Sequence, residues 1–229
     1  MIEPIVDSLE PITLVGGGEA TPEDLQEALT LAPVCVAADG GAALALDAGV
    51  ELAALIRDFD SVSADQRAEV PITRQHQIKE QDTTDFEKCL TYLKAPLVLG
   101  VGFTGGRVDH QLAALHALAR FAHQPCVLLG AHELIFLAPP DLSLPTEPGD
   151  LVSLFPLASV QGKSKGLRWE IEGLNFDPLQ QIGTSNQAVG PCRIQIQDST
   201  MMMMVPRKLI QPVVLQLSQA QAARCPVRE

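Results

Sequence analysis

The sequence predicts an α/β fold, a mostly parallel sheet with flanking helices in a Rossmann-like three-layer arrangement, plus a C-terminal antiparallel β-sandwich-like domain. Across the first 138 residues, short apolar runs alternate with helical patterns, which is typical of a parallel sheet covered on both faces. After Ala138, short alternating runs separated by turn residues favour antiparallel strands. We therefore expect two domains, residues 1–140 and residues 141–229.

The N-terminal strands are predicted from short continuous apolar runs that end at glycine or polar residues. These runs are Ile12–Val15, Val34–Ala38, Ala53–Ile56, a weaker one at His76–Lys79, Leu97–Val101, Cys126–Leu129 and Leu134–Leu137.

The helices between these strands are predicted from capping signals and helical periodicity. Thr21 followed by Pro22 marks one helix start, and Ser63–Gln66 fits the capping box of a short helix. Longer helices are expected at Thr83–Leu93 and from about Arg107 to Ala122.

Proline and glycine between Pro139 and Gly149 suggest a linker before the second domain. The strands expected after it are Leu151–Leu154, Leu167–Ile171, Arg193–Gln197, Met201–Val205 and Val213–Leu217. The run Met201–Met204 fits either a soft binding surface or a buried strand, and we favour the strand.

Composition excludes several classes of protein. A net charge of −12 argues against binding nucleic acid or an anionic membrane, although a metal and a few local cations would still allow a small phosphate ligand. The five cysteines form no CxxC pair, which favours buried thiols in a reducing compartment. No basic, apolar leader and no run of 18 apolar residues occurs, so we expect a cytoplasmic protein.

Asp58 and Asp60 follow the third predicted strand. Alternate residues of an extended segment face the same side, so these two carboxylates suit either a solvated acidic turn or Mg²⁺. Asp39 and the Gly105-Gly106-Arg107 turn also follow strand ends. Ligands of parallel sheets bind beyond the carboxyl ends of the strands, so these motifs are expected to share one rim.

The segment Gln81–Lys88 places acidic and basic residues at the start of a helix. Gln81 lies four residues before Asp85, and Asp85 lies three before Lys88, so they share a helix face. In one interpretation Asp82 caps the helix and Asp85 offsets the helix dipole. In the other, Asp85 contacts a metal or substrate and Lys88 contacts a phosphate.

Gly105–His110 contains two glycines that would let the backbone approach an anion at a helix N-terminus. Arg107 could clamp phosphate oxygens, and Asp109 could orient Arg107 or accept from a ribose hydroxyl. A glycine turn with ordinary capping is the alternative, and we expect a structural role for His110. Gly16–Gly18 lacks the third glycine of a dinucleotide fingerprint, and no Walker A motif occurs.

Taken in order, these motifs resemble those of the thiamine pyrophosphokinase family. The resemblance spans roughly residues 12–190 and is carried by Ala38-Asp39-Gly40-Gly41, Asp58-Phe59-Asp60-Ser61, Gln81–Lys88, Gly105–His110, Leu167-Arg168-Trp169 and Thr184-Ser185-Asn186. It implies Mg²⁺-dependent transfer of pyrophosphate from ATP to the thiamine hydroxyl, with release of AMP. It also implies a homodimer whose active sites lie between the α/β domain of one subunit and the β domain of the other.

The resemblance further implies residue roles. Asp58, Asp60 and Asp85 would hold Mg²⁺ and help to activate the hydroxyl. ATP would contact Asp39, Gly40, Lys88, Gly106, Arg107 and Asp109. Gln81 would lie near the substrates, Trp169 would stack on a thiamine ring, and Ser185 and Asn186 would hydrogen-bond to the pyrimidine.

Two residues depart from the family pattern. Arg57 replaces the usual glycine before Asp-x-Asp, and Gln187 stands where glutamate often follows Ser-Asn. Arg57 could reach a phosphate, or it could point away and pair with an acid. A non-catalytic nucleotide or thiamine-diphosphate sensor, and a phosphotransferase acting on another small alcohol, are the alternative functions.

Overall fold

A computed structural model describes residues 2–57, 69–80 and 82–219. The chain divides into two compact units. The first contains the described residues up to Ala117 together with Leu128–Gly130. The second contains Leu118–Val127 and the described residues from Ala131 onward.

The first unit is built on parallel strands, as the fold-class prediction requires. Strand β2 pairs in parallel with β7, and β3, β4 and β5 form a parallel set in that order. A short parallel pair joins β1 to β6. The strands are β1 (Val6–Asp7), β2 (Ile12–Val15), β3 (Val34–Ala38), β4 (Ala54–Arg57), β5 (Gln75–Gln77), β6 (Leu93–Lys94) and β7 (Val98–Val101), and β8 (Cys126–Leu129) follows them with its last two residues in this unit.

The helices in this part of the chain are α1 (Pro22–Leu31), α2 (Ala42–Asp47), α3 (Asp85–Tyr92) and α4 (Val108–Arg120). Thr21 caps α1 in a reciprocal capping box with Asp24, as its sequence predicts. Helix α3 begins later than predicted, because the Thr84 side chain accepts from the Glu87 N–H and Glu87 returns a bond. The prediction that Asp82 caps this helix is therefore wrong. The predicted short helix at Ser63–Gln66 lies outside the described residues.

The core of the first unit is apolar and forms between the strands and α1 and α2. Its fully buried members include Val15, Leu25, Ala37 and Leu55. Cys35 packs among them, and burial raises the pKa of its thiol to about 12. A thiol in that environment stays protonated, as expected for a structural cysteine.

The second unit is an antiparallel β region, which confirms the second half of the fold prediction. Hydrogen-bonded neighbours run in the order β13, β12, β14, β11, β15, β9, and β10 also pairs with β14. The strands are β9 (Glu133–Leu137), β10 (Asp141–Leu144), β11 (Leu151–Pro156), β12 (Val160–Leu167), β13 (Asn175–Phe176), β14 (Gly183–Ile196) and β15 (Met201–Pro206). Met201, Met202 and Met203 are buried in β15, so the buried-strand interpretation is confirmed.

Three predictions in this region are wrong. The expected linker contains β10, which pairs with β14 along its whole length. The strand expected at Leu167–Ile171 ends at Leu167, since β12 occupies the preceding residues. The strand expected at Val213–Leu217 is part of α5 (Ile210–Gln219).

In helix α5 the buried residues recur at helical spacing, although its β-branched residues favour a strand. Ile210, Val213, Val214 and Leu217 are buried, at the i, i+3, i+4, i+7 positions of one helix face. Pro212 lies in the first turn, where its missing N–H would have no helical partner. Within the described ranges, no helix is long and apolar enough to cross a membrane.

Candidate active site

A cavity of about 940 Å³ opens in the first unit. Its walls come from loops that follow β2, β3 and β7, together with the first turns of α3 and α4. This is the edge of a parallel sheet where ligands bind, and the volume is that of a small-molecule site. The predicted residues that line it are Asp39, Gly40, Asp85, Lys88, Gly106 and Arg107.

Glycines let the loops of this cavity approach one another closely. A Cβ on Gly41 would lie 2.1 Å from the Val15 carbonyl oxygen, and one on Gly18 would lie 2.6 Å from that of Gly102. The Gly18 N–H donates to the Gly102 oxygen at 2.8 Å. Gly16, Gly17 and Gly18 all line the cavity. They were not predicted as site residues because their pattern does not match a dinucleotide fingerprint, although their position directly after a strand end could have indicated a site.

Asp39 is buried, and one oxygen of its carboxylate has no hydrogen-bond partner among the described residues. It is 8% exposed and lines the cavity, and its Oδ1 accepts no hydrogen bond. Its backbone has φ of 40°, a left-handed conformation that Asp adopts more readily than most residues. An unsatisfied buried acceptor costs roughly 1–3 kcal/mol, so this oxygen is suited to a donor or cation supplied by a ligand.

Asp85 and Lys88 lie on one face of α3, as their spacing predicts. Lys88 Nζ lies 3.4 Å from Asp85 Oδ1, and the Lys88 side chain is only 3% exposed, whereas that of Asp85 is 40% exposed. Both residues line the cavity. Burial is the main cause that raises the pKa of the neighbouring Cys89 thiol; the Asp85 and Asp39 carboxylates raise this pKa further, and the Lys88 ammonium lowers it.

Arg107 and Asp109 form a bidentate ion pair at the start of α4. Arg107 Nε and Nη2 donate to the two Asp109 oxygens at 3.1 and 2.5 Å. These bonds hold the pKa of Asp109 below its usual range. Arg107 lines the cavity and Asp109 does not, so Asp109 orients Arg107. Gly106 has φ of 64°, which explains the glycine beside them.

Phe103 and His110 also line the cavity, although neither was predicted as a ligand contact. The Phe103 ring packs against Phe86, with ring centroids 4.4 Å apart. Phe103 follows the strand end of β7 by two residues, which places an aromatic surface in the wall. An imidazole ring and a phenyl ring therefore join the glycine loops and charged side chains in the wall of the cavity.

Arg57 is 2% exposed and its Nη2 donates to Gln75 Oε1 on β5 at 3.0 Å. It is not among the cavity-lining residues. The side chain that replaces the family glycine is thus buried and bonded to a side chain of the neighbouring strand.

Three predicted site residues, Asp58, Asp60 and Gln81, lie outside the described residues. Among those that are described, no three His, Cys, Asp or Glu side chains converge as a metal site would require. The chemistry of the described donors nevertheless fits Mg²⁺, because Asp85 is accessible and Asp39 has an oxygen without a donor.

The remaining predicted residues lie in the second unit. Trp169 is 56% exposed, and the Arg168 guanidinium carbon lies 5.0 Å from the centre of its ring. Arg168 Nη1 donates to Gln187 Oε1 at 3.2 Å. Gln187, the other departure from the family pattern, therefore holds a cation over one face of the indole.

Ser185 and Asn186 are adjacent in β14 but differ in environment. Ser185 is exposed, has φ of 62°, and its N–H donates to Ser153 Oγ at 2.9 Å. Asn186 is 7% exposed, and its side-chain amide bonds the main chain of Trp169. Ser185, with its positive φ, lies in the segment where the register between β11 and β14 shifts.

A family model described as the thiamin pyrophosphokinase catalytic domain matches residues 25–129, which hold most of the cavity. Those residues belong to the thiamine pyrophosphokinase family. Thiamine pyrophosphokinase 1 of rice (Oryza sativa subsp. japonica) is 31% identical over 123 residues, covering 47% of this chain and 47% of the rice protein. The match thus spans about half the length of that relative.

Solved structures of the family share the fold. A thiamine pyrophosphokinase from Bacillus subtilis superposes with a TM-score of 0.73 at 20% identity, covering 86% of this chain and 98% of that one. The Candida albicans thiamin pyrophosphokinase gives 0.72 at 15% identity, covering 90% and 94%. The α/β region followed by an antiparallel β region is therefore the family architecture.

Proposed function

We propose that this protein is a thiamine pyrophosphokinase that transfers pyrophosphate from ATP to the hydroxyl of thiamine and releases AMP. The observation that carries the proposal is the cavity, most of which lies in the family-matched region, where glycine loops, two cations (Lys88 and Arg107) and three carboxylates (Glu19, Asp39 and Asp85) meet. Transfer of a phosphoryl-type group depends mainly on positioning and on neutralising charge, and this set of groups supplies both.

The ATP phosphates would bind against the glycine loops. Gly40 and Gly106 leave the cavity wall free of side chains, and Lys88 and Arg107 provide positive charge in a protein of net charge −12. Arg107 is held in a fixed orientation by Asp109, so its remaining donors can meet phosphate oxygens with little loss of side-chain entropy. Asp39 would accept from the nucleotide or from a water bound to Mg²⁺.

Asp58, Asp60 and Asp85 would hold Mg²⁺ and help to activate the thiamine hydroxyl. When bound, Mg²⁺ would neutralise charge on the transferred phosphates and on the leaving group. Asp85 is suited to this role because it is accessible in the cavity while Thr84, not Asp85, caps α3.

Thiamine would stack on Trp169, with polar contacts from Ser185 and Gln81, and the family resemblance implies a further contact from Asn186. Trp169 is an exposed aromatic ring of the kind that binds flat or cationic groups. We propose that the first domain, residues 1–140, binds ATP and Mg²⁺, and that residues 141–229 bind thiamine and form a homodimer with active sites at the subunit interface. A cytoplasmic location agrees with the composition.

AMP formation from ATP tests the function directly. We expect AMP release that requires both thiamine and Mg²⁺, together with equimolar thiamine diphosphate. Binding of ATP or thiamine diphosphate without AMP release would instead favour a sensor. AMP release with a different small alcohol, and none with thiamine, would favour another acceptor. ADP as the product would contradict pyrophosphate transfer.

A further inference from the structure

Trp169 is held in place by one side chain. The backbone N–H of Trp169 donates to Asn186 Oδ1 at 3.2 Å, and the backbone carbonyl oxygen of Trp169 accepts from Asn186 Nδ2 at 2.7 Å. Asn186 Oδ1 also accepts from the Gln187 N–H at 2.9 Å. The donor and acceptor sides of the amide are defined by these partners, because an N–H requires the oxygen and a carbonyl requires the amino group.

This amide continues the β-ladder by one residue. Leu167 of β12 pairs with Ala188 of β14, and the Arg168 N–H donates to the Gln187 carbonyl at 2.7 Å. At Trp169 the backbone leaves the strand, and the Asn186 side chain supplies the donor and acceptor that a neighbouring strand would otherwise offer. The backbone of Trp169 is thereby fixed while its indole remains 56% exposed.

We propose that Asn186 is a positioning residue that holds Trp169 as a platform for a flat aromatic ring, rather than a residue that hydrogen-bonds to the substrate. Asn186 is 7% exposed and its oxygen already carries two bonds, which leaves little capacity for a ligand. Ser185 is exposed at the same place, so it is the member of the pair that is available for polar contact. The role in thiamine binding rests on the proposed function, whereas the hold on Trp169 does not.

Fluorescence tests the hold on Trp169 without any substrate, because Trp169 is the only tryptophan in the sequence. In Asn186→Ala and Asn186→Asp we expect lower emission anisotropy and stronger quenching by acrylamide than in the wild type. The aspartate variant keeps the shape and the accepting oxygen but places an anion against the Trp169 carbonyl. Asn175→Ala, which removes an exposed amide elsewhere in the unit, serves as the control and should leave the anisotropy and quenching of Trp169 unchanged.

Steady-state kinetics of the Asn186 variants then distinguish a positioning role from a general loss of structure. We expect the KM for thiamine to rise roughly tenfold, the effect of losing about one good hydrogen bond, while the KM for ATP stays within about twofold. Unchanged Trp169 fluorescence in both variants, or an equal rise in the two KM values, would overturn the proposal. A wild-type protein that releases no AMP would refute the proposed function and leave the fluorescence result standing.

Hydrogen exchange of the wild-type protein provides a test that does not depend on the variants folding. The backbone N–H of Trp169 should exchange slowly although the side chain of this residue is exposed, because the N–H is hydrogen-bonded to Asn186. Exchange as fast as in an unstructured peptide would contradict the hold.

Discussion

Asp39 shows how one residue can be unfavourable for the folded protein and useful for binding. Its buried Oδ1 lacks a donor, and its backbone adopts a left-handed φ of 40°. Strain and unsatisfied polar groups concentrate at binding sites, where a ligand completes the missing interactions. The free protein is therefore expected to be less stable than it would be with a neutral residue here.

We predict that Asp39→Asn raises the free energy of unfolding of the ligand-free protein by about 1 kcal/mol, because a buried charge is replaced by a neutral amide that tolerates the same φ. AMP release should fall at least about tenfold, as one lost charged interaction implies. Denaturant unfolding and steady-state assays measure the two effects. A variant that is less stable and fully active would contradict both.

The accessible carboxylate of Asp85 is predicted to be needed for chemistry and not for folding. Asp85→Ala, like Asp58→Ala, should abolish AMP release from ATP and thiamine, because an oxygen that we propose as a ligand of Mg²⁺ is lost. The stability cost should be about 1–2 kcal/mol, because Asp85→Ala removes both a favourable charge at a helix N-terminus and the 3.4 Å contact to the buried Lys88 ammonium. Glu23→Ala removes an equivalent first-turn acid from α1 and should leave turnover unchanged. Wild-type turnover in Asp85→Ala would refute the metal assignment.

The ion pair of Arg107 and Asp109 makes a pH-dependent contribution to the free energy of unfolding, and the lowered pKa of Asp109 gives its direction. Hydrogen bonds from Arg107 lower the pKa of Asp109, so its stabilisation is complete above the ordinary Asp value of about 3.9 and is lost as the pH falls through the lowered value. In Arg107→Gln the Asp109 pKa should rise toward the ordinary value. Carboxyl NMR titration measures this shift, and an unchanged pKa would mean that the pair does not form in solution.

At the scale of elements, the cavity depends on how closely its loops pack. The turn Asp39–Gly41 leads from β3 into α2 and packs against the end of β2 at Val15, so only a residue without a side chain fits at Gly41. Its φ of −65° is accessible to any residue, so space and not backbone conformation imposes the glycine.

We predict that Gly41→Ala destabilises the protein by about 2–4 kcal/mol, because its Cβ would lie 2.1 Å from the Val15 oxygen and the main chain would have to shift. Gly190→Ala is the matched control, since nothing lies within 4 Å of its Cβ position and its φ is unexceptional. Thermal and denaturant unfolding of the two variants compare them. Equal stability of both would contradict the close approach.

At the scale of the whole molecule, the family fold extends over most of the chain, although the family-matched relatives share only about half their length with it. The parallel unit contains the cavity, and the antiparallel unit contains the exposed Trp169. A homodimer is the assembly that the family resemblance predicts, and sedimentation analysis would measure it.

Removal of Mg²⁺ is predicted to stop turnover of the intact protein without unfolding it. Chelation by EDTA should abolish AMP release, and added Mg²⁺ should restore it, because the metal neutralises phosphate charge. ATP should raise the unfolding temperature more with Mg²⁺ than without it, since a ligand stabilises the state it binds. Turnover that persists in EDTA would contradict the role of the acidic residues.

Local sequence alone determined the strands β2, β3 and β8, the Thr21 cap of α1 and the position of acidic and glycine motifs at strand ends, because these depend on short-range pattern and capping chemistry. Only the tertiary structure decided the rest. Val213–Leu217 has β-branched residues but packs one helical face, and propensity yields to packing there. The orphan oxygen of Asp39 and the hold of Asn186 on Trp169 arise from residues brought together by the fold, which no local pattern encodes.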